Sequence, residues 1–518
     1  MKLVTPQTMQ QMDRRTIDDV GVPGEVLMDR AARGAVDALL EHFELSDGAR
    51  IGIVCGTGNN GGDGLAMASM LAHRGFDPRV VVLGTRDSLS HDAGVYFDVA
   101  DQLVDHVEIA DDEESLQTIL HAQPDCQLWC DALLGTGIDR PVGGRYATAV
   151  EFLDEQPAPL LAVDIPSGVD GNTGQILGVA ADADLTVTFG FAKIGQCLDP
   201  GRQKCGRLVV VDIEIPDQVR DDIGADAVGL DEDWLREHLP RRPVDIHKGG
   251  ASKTLHVGGQ PDTAGAIALS ARGALVGGAG LITVATDRRT QPMIPTTTPE
   301  VMARGIIDFD AGSYDEAAFD KLVAASDTVV IGPGLGTDGT ASQMLLDVLA
   351  ADPVQLVADA DALNLAARKP NIETALADSG SADEMVLTPH PGEMARLLNI
   401  DIPDVLADPV DVAQRAADRY SSTVVLKTAA TVIADDDGRL AISRTGSAGM
   451  ATGGMGDALT GLIAAAFADT DNAFDAACIG VVTHGLAGEF AAKTTGVRGL
   501  TVRRLLDEVP VVWQAVGG

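Results

Sequence analysis

Arg50-Ile-Gly-Ile-Val-Cys-Gly-Thr-Gly-Asn-Asn-Gly-Gly-Asp-Gly64 decides the fold of the first half. A short β-branched run ends at Cys55, glycines follow, and an apolar helical run begins near Leu65. G-x-G-x-x-G thus stands between a strand and a helix, the context of a phosphate-binding βα turn. Glycines let backbone approach an anion, and the helix start offers free N–H donors. Asn59, Asn60 and Asp63 place polar side chains where a plain dinucleotide turn keeps small or apolar ones; turn shaping and helix capping are the competing use of such residues. The following strand run, 79–83, ends in Gly84-Thr-Arg86 and lacks the acid that binds a nicotinamide ribose. An ordinary NAD-dependent oxidoreductase is disfavoured on that ground.

Outward from this turn the first half repeats the same alternation. An amphipathic helix carrying Met28, Ala32, Val36, Leu39, Leu40 and Phe43 precedes strand runs at 50–55, 79–83, 127–130, 160–164, 184–189 and 207–211. Strands separated by helical segments predict a mostly parallel α/β sheet, with ligands beyond the carboxyl ends of the strands. An acidic, proline-bracketed stretch, 216–243, reads as a linker, and a second βα series follows at 254–257, 281–285, 328–331, 355–358, 385–387 and 423–426. A chain of 518 residues exceeds what one core holds. Two α/β domains are expected, 1–226 and 227–518.

Composition narrows the partners. Acidic residues number 77 against 38 basic ones, a formal charge of −39, and only nine of the basic residues are Lys. Such a field repels nucleic acid and anionic membrane surfaces, so phosphate must be held by local N–H groups and dipoles. Residues 1–16 contain no apolar leader and no run reaches membrane-spanning length, which predicts a cytoplasmic protein. The six cysteines form no C-x-x-C pair and read as buried, reduced thiols. Excess acid with scarce Lys suggests a halophilic protein whose self-repulsion is relieved by salt.

Two more strand ends, Asp131-Ala-Leu-Leu-Gly-Thr-Gly137 and Asp164-Ile-Pro-Ser-Gly168, place carboxylates in the same crevice. Asn60, Asp131 and Ser167 together offer only oxygens, the ligand set of a hard cation. N-N-G-G-D-G, D-A-L-L-G-T-G with Arg140-Pro141, D-I-P-S-G, and Phe191-Ala-Lys193-Ile-Gly195 resemble the NAD(P)H-hydrate epimerase domain over nearly all of residues 1–215. The resemblance implies a Rossmann-like three-layer domain that interconverts the R and S hydrates, NADHX and NADPHX, at C6 of the damaged nicotinamide ring. It implies substrate phosphates on Asn59, Asn60, Gly61, Gly62 and Asp63 and on Gly135, Thr136, Gly137, Ile138, Asp139, Arg140 and Pro141, with Asp164 also touching substrate. A potassium ion on Asn60, Asp131 and Ser167 is implied as well. Asp164 is the expected acid/base, with Lys193 as the other candidate; a solvated or helix-facing amine is the competing reading of Lys193.

The second half carries Gly446-Ser-Ala-Gly-Met-Ala-Thr-Gly-Gly-Met-Gly456-Asp457 ahead of an apolar helical run, 458–467. Glycines and an Asp at a helix start form an anion hole with a carboxylate that can take a proton from a hydroxyl; the competing reading is an N-capping Asp after a flexible turn. No Walker G-x-x-x-x-G-K-[ST] occurs. Together with His247-Lys-Gly249, Gly280-Leu-Ile-Thr-Val284, Ile331-Gly-Pro-Gly-Leu-Gly336, Asp359-Ala-Asp-Ala-Leu-Asn364, Thr388-Pro-His-Pro-Gly-Glu-Met394 and Lys427-Thr-Ala-Ala-Thr431, this resembles the ADP-dependent NAD(P)H-hydrate dehydratase of the ribokinase-like superfamily over 233–510.

That resemblance implies substrate on Gly334 and Gly336, on His390, Pro391, Gly392, Glu393, Met394, Ala395 and Arg396, and on Asp457 as the catalytic base. Nucleotide is implied on Lys427, Thr428, Ala429, Ala430 and Thr431 and on Ser447, Ala448, Gly449, Met450, Ala451, Thr452, Gly453, Gly454, Met455 and Gly456. Thr428-Ala-Ala and Met455 depart from the family pattern and bear on nucleotide preference. The expected partners are small molecules, NADHX or NADPHX and ADP with Mg2+, and a second copy of the chain in a homo-oligomer. A vitamin kinase fused to a ligand-binding or scaffold domain is the alternative reading, since the second loop suits any hydroxyl phosphorylation.

The charge predicts that the melting temperature rises markedly between about 0.1 M and about 2 M KCl as screening relieves self-repulsion. A melting curve that barely moves across that range refutes halophily.

Overall fold

The computed structural model of the chain describes residues 1–247, 250–379, 384–470 and 472–517. It divides into two compact units, one spanning Lys2–Ala227 and the other running from Val228 onward. Both are α/β, the class expected from the alternation of runs.

The first unit is built on seven parallel strands in the spatial order His106–Ala110, Asp77–Leu83, Arg50–Cys55, Leu128–Ala132, Leu160–Val163, Leu185–Phe189, Arg207–Val211. Numbered along the chain, the order is 3-2-1-4-5-6-7, a Rossmann-like arrangement whose direction of growth reverses between Arg50–Cys55 and Leu128–Ala132. The runs from Ile51 to Cys55 and from Leu128 to Ala132 are buried along their whole length, because helices cover both faces of a central parallel strand. Beside this sheet, Lys2–Val4 pairs parallel with Ala192–Lys193 and fixes the backbone of Lys193.

The second unit orders its strands Ser313–Tyr314, Met302–Asp308, Leu281–Asp287, Lys253–Val257, Thr328–Ile331, Gln355–Ala358, Met385–Leu387, Thr423–Leu426, Val432–Ala434, Leu440–Ser443, Ala227–Leu230. Neighbours from Met302–Asp308 to Thr423–Leu426 are parallel; Val432–Ala434 runs antiparallel to both of its neighbours. The helices Met455–Ala466 and Ala473–Thr495 supply much of its core and are buried nearly all round.

Two sequence expectations are corrected. The stretch 216–243 is not an open linker: it contains the helix Asp217–Ile223, the strand Ala227–Leu230 and the helix Glu232–His238. Four of its apolar residues, Val219, Leu230, Trp234 and Leu235, are buried and anchor an otherwise acidic surface. The helix of the first loop starts at Asn59, not near Leu65. Its glycines serve close packing as much as ligand approach. A Cβ on Gly64 would lie 2.5 Å from Ala132 Cβ and 2.8 Å from Cys55 Sγ, and one on Gly61 would overlap the Gly56 carbonyl oxygen. The six cysteines are free thiols, five of them buried. Among the described residues no helix is long and apolar enough to cross a membrane.

Gly61→Ala is therefore expected to destabilise the first unit by about 1–3 kcal/mol through overpacking. Hydrogen exchange across the strand Arg50–Cys55 reads this, and unchanged protection there refutes it.

Candidate functional sites

A cleft of about 480 Å3 opens where the first sheet reverses direction. Loops from both strands at that point line it, as the crevice rule for open α/β sheets requires. Of the residues singled out in the sequence, Asn59, Asn60, Asp63, Gly135, Thr136, Gly137, Ile138, Asp164 and Lys193 line this cleft. Gly61 and Gly62 are buried inside the helix instead, Gly62 facing Met28. Asp139, Arg140 and Pro141 are exposed and lie outside the lining.

Asp164 follows the strand Leu160–Val163 with φ of +63°, in the left-handed region that Asp tolerates better than most side chains. A hydrogen bond from its N–H to the Val187 carbonyl (2.8 Å) and one from Gln196 Nε2 to its own carbonyl (2.6 Å) hold that conformation. Lys193 Nζ donates to Asp164 Oδ1 (2.6 Å), Thr188 Oγ1 (2.8 Å) and the Phe189 carbonyl (3.3 Å). Thr188 Oγ1 donates to the same carboxylate oxygen at 2.9 Å. The lysine side chain is 1% exposed and the aspartate 15%, so Lys193 is a buried partner rather than a solvated amine. Burial pushes the Asp63 carboxyl well above the usual range, and Asp164 and Asp13 push it further.

Asp131 is fully buried, and its carboxylate accepts from neutral donors: Ser167 N–H (2.8 Å), Ser167 Oγ (2.6 Å) and Leu133 N–H (3.1 Å). Burial raises its pKa against these bonds. Ser167 Oγ also accepts from the Leu134 N–H at 2.9 Å. Asn60 Oδ1 and Nδ2 are both buried with no hydrogen-bond partner among the described residues. The orphaned amide oxygen of Asn60 and a buried carboxylate met only by neutral donors are groups that a bound cation would satisfy.

In the second unit, four adjacent parallel strands end at Ile331, Ala358, Leu387 and Leu426, and the residues after them converge. Lys427 Nζ pairs with Asp359 Oδ1 at 2.7 Å, both side chains largely buried. Burial disfavours the ammonium, but Asp359 and Glu393 outweigh it and hold the Lys427 pKa above its ordinary value. Gly456 packs so close that a Cβ there would lie 3.1 Å from Lys427 Nζ. Next to it, Asp457 sits in the first turn of the helix Met455–Ala466. Burial, then Asp359, pushes its carboxyl up to about 7; Lys427 opposes and Asp361 and Glu393 add. Thr460 Oγ1 donates to the Asp457 carbonyl (2.7 Å), and a buried chain runs on through Ser270 Oγ to His256, fixing this helix start.

The other residues singled out in this unit divide. Gly334 and Gly336 hold φ of +62° and +80°, and Gly336 N–H donates to Asp361 Oδ2 at 2.8 Å. His390 caps the helix Pro391–Leu398: its Nδ1 accepts from Gly392 N–H at 3.0 Å and Glu393 Oε2 accepts from its N–H at 2.9 Å. The histidine is thus fixed by local bonds. Arg396 donates to Asn364 Oδ1 at 3.1 Å, whereas Met394 and Ala395 are buried in the core. Between strands Thr423–Leu426 and Val432–Ala434, Thr428 and Thr431 bond within the turn, Ala429 is exposed and Ala430 is buried. In the glycine loop, Ser447 Oγ accepts from Gly449 N–H (3.3 Å), Gly446 N–H donates to Glu489 Oε1 (2.9 Å), and Gly454 has φ of +92°. Ala448, Ala451, Thr452 and Gly453 face solvent, while Met455 is buried. Of His247-Lys-Gly249, Lys248 and Gly249 lie outside the described residues.

Sequence reasoning missed Asp13 and gave Asp359 no role. Asp13 falls among Met9, Met12 and Thr16 on the buried side of the helix Pro6–Asp18; a carboxylate interrupting an apolar stripe is the signal that marks it. Asp359 directly follows an apolar strand, as Asp164 does.

The family model described as NAD(P)H-hydrate dehydratase matches residues 254–511, and the one described as YjeF-related protein N-terminus matches 24–195. The chain is 37% identical over 516 residues to the bifunctional NAD(P)H-hydrate repair enzyme of Moorella thermoacetica, covering 99% of this chain and 96% of that one. To its namesake in Thermofilum pendens it is 35% identical, covering 100% and 97%. A solved ADP/ATP-dependent NAD(P)H-hydrate dehydratase from Bacillus subtilis, co-crystallized with ATP/Mg2+, is 28% identical with a TM-score of 0.47, covering 55% of this chain and 97% of that one. With more than a third of its residues identical to a relative matched almost end to end, the chain belongs to the family of bifunctional NAD(P)H-hydrate repair enzymes.

Proposed function

We propose that the first unit epimerises the R and S forms of NADHX and NADPHX, and that the second dehydrates the S form to NADH or NADPH, with ADP, carried as its Mg2+ complex, as phosphoryl donor. The observation that carries this reading is the repetition, in each unit, of a buried Lys–Asp pair at strand ends beside further carboxyls that burial keeps protonatable.

In the first cleft the substrate's phosphates lie at the start of the helix Asn59–His73 and along 135–138, where N–H groups and the helix dipole favour anions. Asp164 moves the proton at C6, with Lys193 holding its carboxylate in one orientation. Asn60, Asp131 and Ser167 would hold a potassium ion; when bound, it would offset the buried charge of Asp131 and tie the helix start to the 133–137 turn.

In the second site Asp457 takes the proton of the C6 hydroxyl as that oxygen attacks the terminal phosphoryl of ADP, breaking its bond to the bridging oxygen and releasing AMP. The N–H groups of the glycine loop and Lys427 stabilise the developing charge. Phosphate, a better leaving group than hydroxide, then departs with the C6–O bond as C5 gives up a proton, and the C5–C6 double bond of the dihydronicotinamide ring is restored. Free thiols, five of them buried, suit a reducing cytoplasm.

Hydrated NADH incubated with the protein, with and without ADP, tests the reading: the near-ultraviolet absorbance of NADH returns only with nucleotide. Asp164→Asn should cut epimerisation by about 10²–10⁴-fold and spare dehydration of the S hydrate, and Asp457→Asn the reverse. Equal loss of both activities in either variant refutes two independent sites. Since Asp457 must be ionised to act and its pKa lies at about 7, dehydration should fall as pH drops below that value. Replacing K+ by Li+ at constant ionic strength should lower epimerisation and the stability of the first unit, an effect lost in Asp131→Asn. Indifference to the cation in the unaltered chain refutes the potassium site.

A further inference from the structure

Asp13 projects from the helix Pro6–Asp18 into the same cleft as Asp164 and Lys193. One of its carboxyl oxygens, Oδ1, is buried with no hydrogen-bond partner among the described residues. A helix that needed only to pack would carry an apolar residue here, since Met9 and Thr16 beside it are buried and a bare carboxyl costs free energy. Asp164, by contrast, is held by Lys193 and Thr188. Among the carboxyls that line the cleft, Asp164 is therefore fixed by a cation, whereas Asp13 keeps an oxygen with no partner among the described residues.

We propose that Asp13 is the second acid/base residue of the epimerase cleft, working as a pair with Asp164 on the C6 hydroxyl. This rests on the epimerase reading given above. In one direction Asp13 gives its proton to the C6 hydroxyl, which leaves as water while the N1 lone pair forms the C6–N1 double bond. A water then adds to the other face of C6, the N1–C6 π pair returns to nitrogen, and the water's proton passes to Asp164. One water leaves, one enters, and one proton moves from Asp13 to Asp164; the reverse reaction runs the same steps backwards, and exchange with solvent through the open cleft resets the pair. Burial pushes the Asp13 carboxyl up to about 6, with Asp164 adding and Lys193 opposing. Asp63, Asp92 and Tyr146 also line the cleft, and Asp13 in turn raises the Asp63 carboxyl.

The pair must carry one proton, so kcat/KM in both directions should fall above about pH 6 as Asp13 ionises. In Asp13→Asn, epimerisation of purified R hydrate, followed by chromatographic separation of the two forms, should drop by about 100-fold or more and lose that alkaline limb. Dehydration of S hydrate and the melting temperature should hold. Asp18→Asn, an exposed change on the same helix, should leave every readout unaltered. Full epimerisation by Asp13→Asn, or reduced activity that keeps the limb, overturns the role of Asp13 while the epimerase reading stands. A lower melting temperature with the limb kept assigns Asp13 to stability and also overturns it. Failure of the unaltered chain to interconvert the hydrates overturns both.

Discussion

Burying negative charge at the carboxyl ends of parallel strands is the constraint on which both units depend. An ionised carboxylate taken from water is costly unless a positive charge or several donors meet it. In each unit one lysine provides that charge: Lys193 for Asp164 and Lys427 for Asp359. In a chain with nine lysines and 77 acids, placing two of the nine in largely buried positions is a strong commitment. The carboxyls left without a dedicated cation, Asp13 and Asp63 in one cleft and Asp457 and Glu393 in the other, have their pKa raised by burial. Asp13, pushed up to about 6, and Asp457, pushed up to about 7, lie near neutrality, which suits proton transfer, so one electrostatic shortage yields acid/base chemistry twice.

Backbone geometry makes these pairs possible. Asp164 and Ala360, one at a strand-end acid and the other just after one, both have positive φ. Each turns the chain sharply at the sheet edge, leaving the carboxylate beside its lysine instead of along the strand. Such conformations cost of order 1–3 kcal/mol for a non-glycine residue and persist where the surroundings impose them. Here the surroundings include the Val187 carbonyl and Gln196 for Asp164, and the Ile331 carbonyl for the N–H of Asp359.

The glycines have a second purpose beyond anion approach. Gly64 and Gly461 sit where helices press on their neighbours, Gly64 against Cys55 and Ala132, Gly461 against the backbone of Ser270 and Ala274. Close approach brings each helix start, with its N–H groups and dipole, to the edge of the sheet where the carboxyls lie. Packing and electrostatics therefore select the same small residue, which is why a glycine-rich signature read as a ligand loop proves to be partly helix interior.

The sequence by itself determined the α/β class, the ends of most strands and the acids and glycines placed there, because a parallel strand buried on both faces reads as a short apolar run and must turn at its end. It also singled out Asn60, Asp131, Asp164, Lys193 and Asp457 from short motifs. Only the tertiary structure decided which charges meet. Lys193 and Asp164 are 29 residues apart and Lys427 and Asp359 are 68, separations at which no local pattern specifies a pairing. Asp13 lies farther still from Asp164 along the chain, and its role follows from a cleft that exists only when the helix Pro6–Asp18 packs beside the sheet edge. Burial, which sets the proton affinities, is a property of that packing and has no counterpart in the linear order of residues.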